Sequence, residues 1–326
     1  MNRMKVAGLT LAALTMGLMA ISPVTARADD KVVVKLSYIV DHPAIEATKN
    51  GILAVLEKAG YVPGETMDLE VQSAQGSMPT QVQINTKFVG DDPDLIIAIS
   101  TPSAQTAMSA TSEIPVVFAA VTDPLSAGLV DSYGAPGRNL TGSSDMTPID
   151  KHLALVKRIV PDARTIGVIY NGGEANSVAQ VDVVKEEAEK AGLAVVEATA
   201  AQSSGVLDAA RSLVGKVDAI YIPTDSTVVS GIEAVVRVGG DADIPVIAAD
   251  TGSVERGAIA ALGFDYADIG AAAGESAVAI LKGADPAALP VRFVDKLELY
   301  LNPGSAKDMG VELPEDLLGE ATTVVQ

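Results

Sequence analysis

The residues best suited to chemistry lie in short polar runs, each following an apolar, β-branched stretch. Residues 95–99 lead into Ser100-Thr101-Pro102-Ser103, and 116–121 into Thr122-Asp123-Pro124. Residues 165–170 lead into a run holding Asn171, Glu174, Asn176 and Ser177. Residues 219–222 lead into Thr224 and Asp225, and 246–249 into Asp250 and Thr251. The stretch 32–40 ends at Asp41-His42-Pro43, and 67–72 ends at Ser73-Ala74-Gln75-Gly76, with Met78 just beyond. Hydroxyls and free backbone N–H groups at helix N-termini suit a carboxylate or another anion. An Asp in the same crevice suits an ammonium group, with Asp225 leading and Asp250 and Asp265 following. None of these runs contains Lys or Arg, which disfavours a phosphate or dicarboxylate ligand and favours a zwitterion or a neutral polar molecule. The same residue types are ordinary helix N-caps worth about 1 kcal/mol each. For any single residue capping is the commoner role, and the functional reading rests on the set.

Other chemistries are disfavoured. The chain has no Cys and two His, His42 and His152, so a zinc site, a disulfide framework and a paired nucleophile and base lack their parts. Asp250-Thr251-Gly252 matches the aspartic-protease triplet in spelling, but that fold is all-β. There is no P-loop, glycine fingerprint or Gly-x-Ser-x-Gly elbow. With 23 Lys+Arg against 42 Asp+Glu and a formal net charge of −19, nucleic acid is excluded as a partner. No cofactor is implied.

Positioning such runs takes alternating strands and helices. Strands are expected at 32–40, 67–72, 95–99, 116–121, 165–170, 193–197, 219–222, 246–249, 258–262 and 291–301. Helix-length segments lie between most of them, including 44–59, 103–111, 149–159, 177–191 and 265–282. Buried apolar strands alternating with helices imply right-handed βαβ units and parallel sheets covered on both faces. The pattern occurs twice. Glu57-Lys58-Ala59-Gly60 is echoed by Glu189-Lys190-Ala191-Gly192, Asp94-Leu95-Ile96 by Asp218-Ala219-Ile220, and Ile114-Pro115-Val116 by Ile244-Pro245-Val246. Three echoes in the same order favour two similar α/β lobes. Phe118, Tyr170, Tyr221, Phe264 and Tyr266 lie in or just past strands leading to the polar runs, where one or two could stack on an aromatic ligand. A turn hydrogen bond is the expected role of His42.

Residues 1–28 read as a secretory signal. Arg3 and Lys5 precede an apolar run from Val6 to Ile21, Pro23 breaks it, and Ala26-Arg27-Ala28 gives a small-x-small cleavage pattern. The run is shorter than the roughly 20 residues that span a bilayer. The expectation is a periplasmic protein cleaved after Ala28.

Taken together, these segments resemble the ABC-transporter substrate-binding proteins of the tryptophan/tyrosine type. The carrying residues are Ile39-Val40-Asp41-His42-Pro43-Ala44, Ala74-Gln75-Gly76, Ala119-Ala120-Val121-Thr122-Asp123-Pro124, Gly167-Val168-Ile169-Tyr170-Asn171, Glu174-Ala175-Asn176-Ser177, Pro223-Thr224-Asp225 and Gly263-Phe264-Asp265-Tyr266. The family usually has Asn where Ser73 stands and Asp where Ser77 stands. The resemblance implies a type I periplasmic-binding-protein fold: two Rossmann-like lobes with parallel sheets, joined by three hinge crossovers. Lobe 1 would comprise residues 31–143 and 265–287, and lobe 2 residues 144–264 and 288–326, with hinges near Gly142, Gly263 and 286–290. It further implies a monomeric, non-enzymatic receptor that closes on an aromatic amino acid and delivers it to an ABC permease and its ATPase in the inner membrane. Ser100, Thr101 and Ser103 would take the ligand carboxylate from lobe 1. Glu174, Asn176 and Ser177 would approach from lobe 2, with Thr122, Asp123, Asn171, Thr224, Gln75 and Met78 completing the site. The alternatives are a branched or small amino acid, a nucleoside or a sugar as ligand, and a secreted α/β hydrolase.

Overall fold

The computed structural model describes Met1 and residues 31–325, so the expected signal segment lies outside the described residues. The first half runs β1 (Val32–Tyr38), α1 (Pro43–Lys58), β2 (Met67–Ser73), α2 (Met78–Gly90), β3 (Leu95–Ile99), α3 (Thr101–Ala110), β4 (Val116–Val121) and β5 (Leu140–Ser144). The second runs α4 (Ile149–Ile159), β6 (Thr165–Tyr170), α5 (Ala175–Lys190), β7 (Ala194–Thr199), α6 (Val206–Ser212), β8 (Ala219–Ile222), α7 (Ser226–Ser230), α8 (Ile232–Ala242), β9 (Val246–Ala248), α9 (Gly252–Glu255) and β10 (Ala260–Gly263). After these come α10 (Tyr266–Leu281), β11 (Glu298–Leu301), α11 (Pro303–Asp308), α12 (Glu315–Glu320) and β12 (Thr323–Val324).

Two mostly parallel sheets result, ordered β2-β1-β3-β4-β5 and β12-β11-β10-β9-β8-β6-β7. Strands β6 to β10 repeat the order of β1 to β5, and the sequence echoes mark equivalent joints. Asp94 accepts the Val33 N–H at 2.7 Å, fastening β3 to β1. Asp218 accepts the N–H groups of Arg164 and Thr165, both at 2.8 Å, fastening β8 to β6. Gly60 and Gly192 follow α1 and α5 with φ of +96° and +69°, values that favour residues lacking a Cβ.

The last helix of each half is exchanged. After β5 the chain leaves the first sheet, and α4 buries Ile149, Leu153, Val156 and Ile159 in the core of the second. After β10 it returns, and α10 buries Ile269, Ala273, Ala277 and Ile280 in the core of the first. The third passage runs past β5, where Arg292 N–H donates to Gly142 O at 2.8 Å, and enters the second sheet as β11. The α1–α10 contact is close: a Cβ on Gly270 would stand 2.0 Å from Thr48 O, and one on Gly51 2.2 Å from Ala267 O.

Three expectations need correction. Residues 140–144 form a strand outside those expected, because two Ser, a Thr and a Gly hide its pattern. Gly142 is required there, since a Cβ would lie 1.8 Å from Phe118 O on β4. The strand expected over 291–301 is confined to β11, with the preceding residues serving as the crossing. β11 pairs antiparallel with β10, and β12 joins beyond it, so the second sheet is not wholly parallel.

A buried histidine ties α4 to the second sheet. His152 Nε2 lies 2.8 Å from Leu262 O, which can only accept, so Nε2 carries the proton and Nδ1 accepts from the Tyr221 hydroxyl at 2.6 Å. Burial lowers the imidazole pKa from 6.5 to about 4. Between those values the unfolded chain binds the proton and the folded one does not, so stability falls as pH drops. Chemical denaturation should show that His152 alone removes roughly 3 kcal/mol between pH 7 and pH 4. His152→Gln should flatten the slope by up to one proton, and an unchanged slope would refute the assignment.

Candidate functional site

Open α/β sheets bind ligands beyond the carboxyl ends of their strands, where the strand order switches direction. Both sheets have that switch between their first and third strands in chain order, and the two switch points face one cavity. The first half contributes His42, Ile45, Ser100, Thr101, Ala120 and Thr122. The second contributes Asn176, Thr224, Asp225, Ser226, Val229 and Asp250. Asp145 and Tyr266 come from the crossings. The space between these walls is about 380 Å³, its open mouth included.

On the first-half wall, α3 begins against the cavity. Ser100 has φ +83° and ψ 156°, a conformation almost confined to glycine, and the lining residue Ala120 has φ +51°. Such backbone persists only where the surroundings over-determine it; here Ser100 N–H donates to Ala119 O at 2.9 Å. In the first turn of α3, Pro102 has no N–H, and those of Thr101 and Ser103 have no partner within the helix. They and the helix dipole form an anion-favouring end. Behind this wall Ser103 belongs to a buried network with Gln81, Asn85 and Ser37.

The second-half wall is braced more elaborately. Asp225 Oδ1 accepts from Val228 N–H at 2.7 Å, capping α7, and its Oδ2 accepts from Asn171 N–H and Ser177 Oγ, both at 2.6 Å. Glu174 accepts from the N–H groups of Ser226 and Thr227 and from the Thr227 hydroxyl. Burial, then the nearby Glu174 charge, push the Asp225 pKa up. Asn176 Nδ2 and Gln180 Nε2 both donate to Thr224 O, at 2.8 and 2.9 Å. This bracing leaves Asn176 Oδ1 and Thr224 Oγ1 buried without a partner.

The crossings supply the third wall. Asp145 Oδ2 accepts from the Tyr266 hydroxyl at 3.1 Å, while Oδ1 is buried with no partner. Burial pushes the Asp145 pKa up to about 6, with the Asp250 carboxylate adding to the rise. The nearby hydroxyl of Thr122 offsets part of the rise at Asp145, and that of Thr224 offsets part of the rise at Tyr266. His42 Nδ1 is also unpartnered; burial and then the Arg256 cation lower its pKa to about 4, so the ring is neutral.

Five buried side-chain polar atoms among the described residues lack partners, and four line this cavity: His42 Nδ1, Asp145 Oδ1, Asn176 Oδ1 and Thr224 Oγ1. Buried polar groups are nearly always satisfied, so each exception asks for an explanation. Among the described residues three carboxylates line the space and no Lys or Arg does. The unmet demand is for a donor-rich cation.

Of the residues expected at the site, Ser100, Thr101, Thr122, Asn176, Thr224, Asp225 and Asp250 line the cavity. Ser103, Asn171, Glu174 and Ser177 stand behind its walls as braces. Asp123 lies outside, accepting from Leu125 N–H, Ser126 N–H and the Tyr133 hydroxyl around the turn that Pro124 begins. Asp265 is exposed and caps α10 through Ala267 N–H at 2.8 Å. Gln75 and Met78 line a larger opening that meets the cavity at Ser226 and also carries Ile39, Val40, Ser203 and Thr227. There Ser73 donates to Asp41 and Ser77 caps α2. The ring of His42 makes no turn hydrogen bond through Nδ1, contrary to expectation. Asp145 was missed because it follows the unrecognised strand β5; the polar run Thr141-Gly142-Ser143-Ser144 was its only signal.

Comparison with known proteins agrees with this geometry. Residues 33–325 match the family described as ABC transporter substrate binding protein. The chain is 45% identical over 277 residues to a tyrosine-binding protein of Clostridioides difficile, covering 85% of this chain and 80% of that one. A Streptococcus pneumoniae ABC domain solved in complex with L-Trp superposes with a TM-score of 0.87 at 33% identity, covering 91% of this chain and all of that one. The ligand-free, open structure of a Clostridium difficile substrate-binding protein with adhesive properties gives a TM-score of 0.68 at 43% identity, covering 90% and 99%. Two facing α/β halves, a cavity at their paired switch points and this match over nearly the whole described chain lead to one conclusion: the protein belongs to the family of ABC transporter substrate-binding proteins, which are solute receptors and not enzymes.

Proposed function

We propose that the chain is a periplasmic receptor for an aromatic amino acid, held between two lobes that close on it for delivery to an ABC importer. The observation that carries this reading is the set of unmet acceptors, Asp145 Oδ1, Asn176 Oδ1 and Thr224 Oγ1, across the cavity from the N-terminal end of α3. An α-ammonium group offers three N–H donors to the first, and an α-carboxylate suits the second. The side chain would extend through Ser226 toward Ile39, Val40 and Met78, where apolar atoms and the Gln75 amide mix. The tyrosine-binding relative and the L-Trp complex support the ligand class. Closure is supported by shape: the structure is nearer the L-Trp complex than the open, ligand-free relative, although the latter is closer in sequence. Residues 31–143 with 265–287 and residues 144–264 with 288–326 would be the moving bodies, with residues 1–28 directing export. Asn171, Glu174 and Ser177 would act by holding Asp225 and α7 in place, while Asp250 adds negative potential.

A thermal-shift screen of amino acids, sugars and nucleosides on the exported chain tests this. A ligand at about 100 times its dissociation constant stabilises by about 2.7 kcal/mol, a rise of several degrees. L-Tyrosine, L-tryptophan or L-phenylalanine should give the largest rise. A response confined to sugars or nucleosides would overturn the ligand assignment.

A further inference from the structure

A second pocket, of about 640 Å³ including its open mouth, lies beside the first crossing and shares only Thr122 with the lining of the central cavity. Its apolar lining comes from Met146 and Ile149 at the start of α4 and from Ala179 and Val183 on α5. Asp123, Asp150 and Glu187 also line it, and Lys190, which pairs with Glu187 at 2.6 Å from outside the lining, leaves the set net negative. It holds the fifth unpartnered polar atom, the hydroxyl of Thr147, a residue 7% exposed. Met146 and Val183 are 40% and 43% exposed, large apolar side chains left open at its edge. Apolar walls, one buried hydroxyl and a net negative set of charges define a ligand with a small hydrophobic body and a positive end.

We propose that this space is a second binding site, distinct from the amino-acid cavity, for a small amphiphilic amine of the arylalkylamine class. Its apolar body packs on Met146, Ile149 and Val183, and its ammonium group faces Asp123, Asp150 and Glu187. Lys190 is already paired with Glu187 at 2.6 Å, so a carboxylate on the same ligand meets a net negative set of charges and an amine is preferred to the corresponding amino acid.

The test is calorimetric titration of 2-phenylethylamine into the exported chain, alone and with saturating L-tyrosine. The amine should bind in both cases. Val183→Trp, a change at a half-exposed helix position that fills the space, should weaken amine binding at least about tenfold, a loss of 1.4 kcal/mol or more. The variant should bind L-tyrosine as the wild type does. Displacement of the amine by L-tyrosine, an unaltered amine affinity in Val183→Trp, or no amine binding would each overturn the proposal. The amine is also read without amino acid, so the result stands whether or not L-tyrosine binds.

Discussion

Asp145→Asn should lower the affinity for an aromatic amino acid about a hundredfold while raising the melting temperature of the empty protein. The two effects share one cause. Asp145 is buried with one oxygen unpartnered and no cation in its cavity, so the empty protein carries the cost of a desolvated charge. Its folded pKa of about 6 exceeds the ordinary carboxylate value, so between about pH 4 and pH 6 the folded protein binds the extra proton. Stability at this group is therefore highest at low pH and declines as pH rises through that window, by roughly 3 kcal/mol at neutrality. Asparagine removes that cost. It also removes the counter-charge proposed for the ligand ammonium, and breaking a buried hydrogen-bonded charge pair costs about 2–5 kcal/mol, which sets the hundredfold estimate. For the wild type, affinity should fall as pH drops below about 6, because the carboxylate must be ionised to hold the ammonium. Calorimetry at pH 7.5 and pH 5, with a melting curve at each, reads all of this. Wild-type affinity in Asp145→Asn would transfer the ammonium role to Asp225.

Gly270→Val should destabilise the protein by about 3 kcal/mol or more, the upper part of the range for overpacking a dense core. The added Cβ would stand 2.0 Å from the Thr48 carbonyl oxygen, a backbone atom that cannot rotate away. Relief requires α1 and α10 to separate, and that would open a core containing Ile45, Ile52, Leu56, Ile269 and Ala273. A fall of roughly 6–12 °C in melting temperature is expected. A loss below about 1 kcal/mol would show that the helix pair slides apart freely. Gly64→Val provides the contrast in space though not in backbone, since a Cβ there meets nothing within 4 Å.

The architecture was legible wherever apolar runs and turn residues coincide. Residues 95–99 and 116–121 are strands with the expected bounds, and the three echoes fall at equivalent joints of the two halves. Asp94 and Asp218 show what one echo does: the first carboxylate takes one backbone N–H and the second takes two, each at the start of a neighbouring strand. Polar positions at strand ends were legible as a class, but the division between lining and bracing was not. Asn176 and Ser177 are adjacent on one helix, yet the first faces the cavity and the second fastens Asp225. Asp225 itself was read both as ligand contact and as cap; its two oxygens take the cap and two brace bonds, and Asp145 keeps the free oxygen. That residue owes its place to a crossing, and long-range placement of this kind leaves no periodic trace.

The exchange of final helices has a consequence for how the chain must mature. Neither contiguous half contains all of its own interior: without α10 the first sheet lacks Ile269, Ala273, Ala277 and Ile280, and without α4 the second lacks Ile149, Leu153, Val156 and Ile159. The arrangement is that of two domain-swapped partners written into one polypeptide. Residues 31–143 form a sheet with one face covered only in part, by α1, until nearly the whole sequence has followed, so completion of the first body waits on synthesis of the second.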